Sequence, residues 1–371
     1  MNTPPPIIDP LRVLVVDDSA LYRKLVSQVL QEADGLEVVG TACNGRVALD
    51  KIQQLRPDLI TLDLEMPELD GLGVLRHLQD NHSSVGAIVL SALSAEGATA
   101  TTRALDAGAF DFALKPTSKS PDASMAELKE SLIPKAHAFA ETKNRSTAKR
   151  AATPHPVAAP SDQDMPLCPT RAGRVNPRIL AIGVSTGGPK ALSQLIPSLP
   201  ANFNVPIVLV QHMPPVFTKS LADELNRHAK INVVEAQHGD MLQPGTVYIA
   251  PGGKQMKLQR AGFSSSVVIS DDPPERNCRP SVDYLFRSVA EIYGGDVLAC
   301  ILTGMGDDGH LGCKLLKRRG AIIMAQNEAT CVVYGMPRQI VDSNLADCIL
   351  PLDKIGEEML KLTGQETAAC R

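Results

Sequence analysis

A chain of 371 residues is about two and a half times the roughly 150 residues expected of one domain, so it should hold two cores with a remainder. It is 44% apolar and 21% charged with a net charge of −4, and its apolar runs stop far short of the ~20 residues of a bilayer span. With 3% aromatics, no Trp and no strongly basic domain, it lacks the electrostatic footprint of nucleic-acid binding. At the N-terminus, MNTPPPIIDP has no charged-then-apolar secretory pattern, and the eight cysteines contain no CxxC pair. A reducing cytoplasm with mostly inert packing thiols is expected. The apolar runs LRVLVV, DLITL, GAIVL and AFDFAL then alternate with helix-period segments near Ser19 to Ala33, Gly45 to Leu55, Gly71 to Gln79 and Ala95 to Ala107. That βα repeat predicts a parallel sheet covered by helices on both faces.

From 134 to 176 the chain becomes rich in Pro, Ala, Ser, Thr and Lys without a sustained apolar period, which predicts a solvated linker between domains at 11–133 and 177–365. Charge follows the same division. Residues 1–133 carry 11 Lys+Arg against 19 Asp+Glu, 134–177 carry 7 against 3, and 178–371 carry 19 of each. Beyond the linker ILAIGV, VPIVLV and VLACIL are each followed by a Gly- or Pro-rich turn and a helical segment. Between them, Thr246 to Ser270 reads as short β pieces around PGGK. A second α/β domain is expected.

In an open α/β sheet the functional crevice lies outside the carboxyl ends of the strands. In the first domain the apolar runs end in Asp17 and Asp18, in Asp63, in Ser91, and in Lys115 before Pro116. Any one strand-end aspartate is more often a helix cap or turn former. Five polar residues at one edge are better explained as a site. Three carboxylates there would repel one another and raise their pKa values unless a cation is present, and oxygen-only ligands suit Mg²⁺. A carboxylate so placed can attack a phosphoryl group, with Lys115 offsetting charge and the Ser91 hydroxyl bonding the phosphoryl oxygens. The strings VVDDS, TLDLEMPELDG, LSALS and DFALKP resemble response-regulator receiver domains. The resemblance implies a flavodoxin-like (βα)5 fold and a phospho-acceptor at Asp63. It also implies Mg²⁺ on Asp17, Asp18, Asp63 and the backbone carbonyl of Glu65, with Ser91 and Lys115 as switch residues.

In the second domain ILAIGVSTGGPKALSQLI sets Ser185 in a GxSxG pattern between strand and helix, where glycines permit a sharp bend and the helix start favours negative charge. Alone the pattern is weak, because such serines are more often caps or phosphate cradles. A serine needs a base, and His212 follows VPIVLVQ, at the same sheet edge, whereas His228 and His238 fall in helix and loop contexts. VLACILT runs into GMGDDG, which brings Asp307 and Asp308 to that edge without choosing between them. Gly304, Gly306 and Gly309 also spell GxGxxG, with Glu328 roughly 20 residues on, so a dinucleotide-dependent enzyme is a rival. Two aspartates facing a pyrophosphate argue against it.

The chain order Ser, His, Asp differs from that of α/β-hydrolases, which makes an ordinary lipase or esterase a poor fit. The strings GVSTGGP, VQHMP, IAPGGKQM, RPSVDYLF, LTGMGDDG and AQNEATCVVYGMP resemble the CheB chemotaxis methylesterase family, which implies a doubly wound, mostly parallel α/β catalytic domain. On that resemblance the triad is Ser185, His212 and Asp308, with the Met305 amide as oxyanion donor, Thr186 beside the nucleophile and no cofactor in this half. Where the family commonly has Asn, this chain has Asp307, whose charge is expected to raise the pKa of Asp308 or of His212.

The resemblance implies a cytoplasmic, monomeric enzyme that hydrolyses glutamate γ-methyl esters and deamidates specific glutamines on methyl-accepting chemoreceptors. Its phosphodonor would be a chemotaxis histidine kinase, with the receiver blocking the catalytic strand ends until Asp63 is phosphorylated. A phosphorylation-switched docking protein with an inactive hydrolase half is the alternative, and the intact triad speaks against it.

Overall fold

In a computed structural model of the chain, residues 10–118, 120–151, 177–262 and 264–365 are described, and they fall into two units divided after Ala151. The first unit alternates β1 (Leu11–Val16), α1 (Ala20–Gln31), β2 (Leu36–Ala42), α2 (Gly45–Leu55), β3 (Leu59–Asp63), α3 (Gly71–Asp80), β4 (Gly86–Ser91), α4 (Ala95–Asp106), β5 (Asp111–Leu114) and α5 (Pro121–Ala151). Its sheet is parallel in the order β2-β1-β3-β4-β5. The apolar runs β1, β3 and β4 are buried almost throughout, as strands covered on both faces must be. Ser19, Asn44, Asp70 and Ser94 each accept an amide hydrogen bond from the residue three further on; α1, α2 and α4 start within four residues of the strand before them, whereas a seven-residue loop separates β3 from α3. The chain just beyond two strands also engages their terminal carboxylates: Ser19 N donates to Asp17 Oδ1 (2.8 Å) and Glu65 N to Asp63 Oδ1 (3.4 Å).

Two expectations need correction. The edge strand β2, which the (βα)5 resemblance implied, was missed by the apolar runs alone, because only its end residues are fully buried and its apolar signal is short. The linker expected from 134 is helical as far as Ala151. Leu128, Leu132 and Ala136, at helical spacing, are buried in the core of this unit, and Phe139 meets Phe110 edge-on at 5.1 Å. That packing carries the helix through Pro134, whose cost inside a helix is about 3 kcal/mol. The remainder of the expected linker, 152–176, lies outside the described residues.

The second unit contains β6 (Ile179–Val184), α6 (Gly188–Leu195), β7 (Ile207–Gln211), α7 (Phe217–His228), β8 (Asn232–Glu235), β9 (Thr246–Ile249), β10 (Gln255–Ala261), β11 (Ser264–Ser270) and α8 (Val282–Tyr293). It continues with β12 (Val297–Ile301), α9 (His310–Arg319), β13 (Ile322–Gln326), α10 (Met336–Asp342), β14 (Cys348–Leu350) and α11 (Leu352–Leu362). Seven strands form a parallel sheet in the order β14-β13-β12-β6-β7-β9-β8. The chain leaves β6 toward β7 and later returns on its other side as β12, so the switch point where α/β sheets bind ligands lies at β6. The antiparallel hairpin β10-β11 packs Met256, Leu258 and Val267 with Val282, Leu285, Phe286 and Val289 of α8, which fixes the start of that helix. Cys300 and Cys313 are buried free thiols, as inert packing residues should be, whereas Cys348 is disulfide-bonded, which the sequence reading did not anticipate.

Candidate active site

Ser185 leaves β6 in a turn shaped by glycine. Gly187 has φ +77°, and a Cβ on Gly188 would collide with Gln211 Oε1. Ser185 N donates to Thr303 O (3.0 Å), and Gln211 Nε2 donates to Ser185 O (2.9 Å), so the backbone is held from both neighbouring strands. The pairing Val184↔Gln211 places Ser185 and His212 one step beyond matched positions of β6 and β7. Among the described residues the Ser185 hydroxyl makes no hydrogen bond, so the structure brings serine and histidine to one edge without joining them. Catalytic hydrogen bonds are commonly loose before substrate binds.

His212 and Asp308 are joined. The ring Nε2 lies 2.7 Å from Asp308 Oδ2. Asp308 sits at the start of α8, where Oδ2 also accepts from Val282 N (2.7 Å), while Oδ1 accepts from Ser281 Oγ (2.9 Å), Asp283 N (2.9 Å) and Gly309 N (3.0 Å). This is an anion site at a helix N-terminus, filled by the protein's own carboxylate. Burial works to raise the Asp308 pKa, but His212 and the amides outweigh it and hold the carboxyl below its usual range. For His212 burial disfavours the charge, yet Asp308 and the neighbouring Cys278 thiol outweigh it and raise the pKa to about 9. The shared proton therefore stays on Nε2 facing Asp308, and Nδ1 carries the lone pair of the neutral ring.

The ambiguity between the two aspartates is resolved by position. The Asp308 side chain is 3% exposed and bonded to histidine, whereas that of Asp307 is 46% exposed and pairs with Arg276. The expectation that Asp307 would raise the Asp308 pKa is wrong, since that pKa is lowered. Arg276 takes up the extra charge, and the rise at His212 comes from Asp308 and Cys278. The dinucleotide reading fails at the same loop. Amides at the start of α9 are already used: Gly309 N bonds Asp308, His310 N bonds Asp307 O, and Gly312 N bonds Asp283 Oδ1 (2.7 Å). Three of the amides that a pyrophosphate would need there are therefore already occupied.

Met305 is partly exposed, and among the described residues its amide has no acceptor, as an oxyanion donor requires. Thr186 is buried, and its carbonyl accepts the Thr303 hydroxyl (3.0 Å). His228 and His238 are exposed. Sequence reasoning gave no role to Ser281, Gln211, Thr303 or Cys278. Ser281 had a usable signal, because RPSVD before an apolar period marks an N-cap and hence an anion site.

In the first unit Lys115 Nζ lies 2.7 Å from Asp63 Oδ2 and 3.0 Å from Asp17 Oδ2, over the Tyr22 ring. Asp17, Asp18 and Asp63 each offer an oxygen within 4.8 Å of the others. The buried Asp17 Oδ2 has no aligned hydrogen bond. Three carboxylates of hard oxygen donors, with Lys115 the cation paired to Asp17 and Asp63, fit a divalent cation such as Mg²⁺. The Asp63 pKa is raised, first by burial and also by Asp17, with Lys115 acting the other way, so desolvation outweighs the repulsion expected from sequence. Glu65 and Ser91 line the same cleft of about 200 Å³. The buried Ser91 hydroxyl, however, donates to Gly97 O (3.2 Å) and must turn to reach a phosphoryl group.

The CheB methylesterase family matches residues 180–359, and the response regulator receiver domain matches residues 13–124. A protein-glutamate methylesterase/protein-glutamine glutaminase of Desulfotalea psychrophila is 47% identical over 355 residues, which cover 94% of this chain and 98% of that one. The protein of the same name from Trichodesmium erythraeum is 43% identical over 354 residues, 95% of this chain and 99% of that one. The crystal structure of the Thermotoga maritima CheB methylesterase catalytic domain aligns with a TM-score of 0.50 at 44% identity, covering 51% of this chain and 100% of that one. With relatives this similar over nearly its whole length, and a receiver ahead of the catalytic unit, the chain belongs to the CheB methylesterase family.

Proposed function

We propose that the chain is a phosphorylation-activated protein-glutamate methylesterase and protein-glutamine glutaminase acting on methyl-accepting chemoreceptors. The observation that carries this reading is the 2.7 Å bond from His212 Nε2 to the buried Asp308, one sheet position from Ser185. Ser185 Oγ attacks the ester carbonyl as its proton passes to His212 Nδ1, and Asp308 stabilises the imidazolium. The Met305 amide donates to the developing oxyanion. His212 gives that proton to the leaving oxygen as its bond to the acyl carbon breaks and methanol departs, or to the leaving nitrogen so that ammonia departs where the substrate is a glutamine, and water then releases glutamate from Ser185 by the same steps.

In the receiver, Asp17, Asp18, Asp63 and the Glu65 carbonyl would hold Mg²⁺, which supplies charge neutralisation for phosphoryl transfer. Asp63 accepts the phosphoryl group from a chemotaxis histidine kinase, and Lys115 neutralises charge beside it. The added charge of about −1.5 to −2 draws Ser91 from Gly97 and reorders its loop.

The test is methanol release from methylated receptor membranes with and without acetyl phosphate and Mg²⁺. Stimulated release is expected of the native chain. Asp63→Asn should keep the unstimulated rate and lose the stimulation. Equal stimulation in that variant overturns the regulatory half of the reading, and no methanol from the native chain overturns the whole.

A further inference from the structure

Cys278 stands beside the catalytic histidine with no part in the chemistry above. It closes a two-residue turn in which Arg276 and Asn277 have φ +50° and +60°, with reciprocal backbone hydrogen bonds between Glu275 and Cys278. Gln255 Nε2 also donates to its carbonyl (3.3 Å), so the position is braced. Its Sγ lies 3.8 Å from His212 Nδ1, the nitrogen left free by Asp308. Bonds of about 2.0–2.1 Å to nitrogen and about 2.3 Å to sulfur, at a tetrahedral angle, place the two donors about 3.6 Å apart. The observed separation is nearly that bite.

Asp308 strengthens the resemblance to a metal site. A histidine ligand ordinarily donates its other ring N–H to a carboxylate, which fixes the tautomer and makes the free nitrogen more basic. His212, Cys278 and Asp308 each offer a ligand atom within 4.8 Å of the others. Imidazole and thiolate select Zn²⁺ or a similar borderline-soft ion over Mg²⁺, which the oxygen-only receiver site would prefer.

We propose that His212 Nδ1 and Cys278 Sγ form an inhibitory site for a borderline-soft divalent cation, completed by water. On binding, the thiol proton and any proton on Nδ1 leave to solvent, and the bound ion then holds the lone pair that must accept the Ser185 proton. The inhibitory consequence rests on His212 being the base; the metal site itself does not.

The test uses the full chain in excess Mg²⁺, which occupies the receiver. Zn²⁺ should inhibit methanol release, and a chelator should restore it. In Cys278→Ser the half-inhibitory Zn²⁺ concentration, measured against that variant's own untreated rate, should rise at least about tenfold, because a hydroxyl replaces the soft ligand. Independently of activity, Co²⁺ should give a thiolate-to-metal charge-transfer band that Cys278→Ser removes and Cys43→Ser, on the exposed receiver cysteine, leaves intact. A missing band, or one that survives Cys278→Ser, overturns the site. Unchanged Zn²⁺ inhibition in that variant overturns it as well. The band with no methylesterase activity in the native chain would uphold the site and sink the proposed function.

Discussion

Ser185→Ala is expected to lower kcat for methanol release by a factor on the order of 10⁴ or more, with little change in folding stability. Removing the nucleophile of a serine triad eliminates the covalent route, and what remains comes from the oxyanion donor and from binding. Stability should be nearly untouched because the Ser185 hydroxyl makes no hydrogen bond among the described residues, while the bonds that hold the turn run through its backbone to Thr303 and Gln211. Alanine keeps those bonds. Turnover and thermal melting measured on the same preparation therefore separate a lost nucleophile from a damaged turn. Retained turnover removes Ser185 from the mechanism, and a large fall in Tm would show that the hydroxyl has a structural role this structure does not contain.

Ser185 and His212 were legible in the sequence because each follows a buried apolar run directly, so finding the strand also locates its last polar residue. The same logic found Asp17, Asp63 and Lys115, whose carboxylates and ammonium meet within 3.0 Å. The choice between Asp307 and Asp308 was not legible. It depends on α8, which begins 26 residues before Asp308 and points its first amides at only one of the two. Gln211 and Thr303 escaped for a related reason: their side chains serve the backbone of a neighbouring strand, and no local pattern marks that. The family resemblance favoured Asp308, but the amide bonds that hold it, and the Arg276 pairing that removes the extra charge of Asp307, come only from tertiary structure. The helical start of the expected linker was hidden for the opposite reason. Pro134 and a polar composition argued for a break, and buried Leu128, Leu132 and Ala136 overrode them.

Asp308→Asn is expected to lower kcat about 10⁴-fold, the loss seen when a triad carboxylate becomes an amide and the histidine tautomer is no longer fixed. Here the substitution carries a second penalty. Besides His212, four donors converge on the two carboxylate oxygens, from Val282 N, Asp283 N, Gly309 N and Ser281 Oγ. An asparagine has one acceptor oxygen, so its NH₂ must face either histidine or a buried amide, and each donor left unsatisfied costs about 1–3 kcal/mol. A lower Tm should accompany the lost activity, unlike Ser185→Ala. The pH dependence discriminates further. In the native chain the His212 pKa is raised to about 9, and only the neutral ring can accept the serine proton, so kcat/KM should climb from pH 6.5 toward 9. Stability runs the other way. The folded state binds the His212 proton more tightly than the unfolded chain does, so that contribution is full below pH 6.5 and is lost as pH rises through 9. The lowered Asp308 pKa adds stability above the usual carboxylate value, near 3.8, and loses it as pH falls through the still lower folded value. With asparagine the imidazolium loses its counter-charge, and the climb in kcat/KM should move to lower pH even as its height collapses. A climb at the same pH in both proteins would mean that Asp308 does not govern the charge on His212.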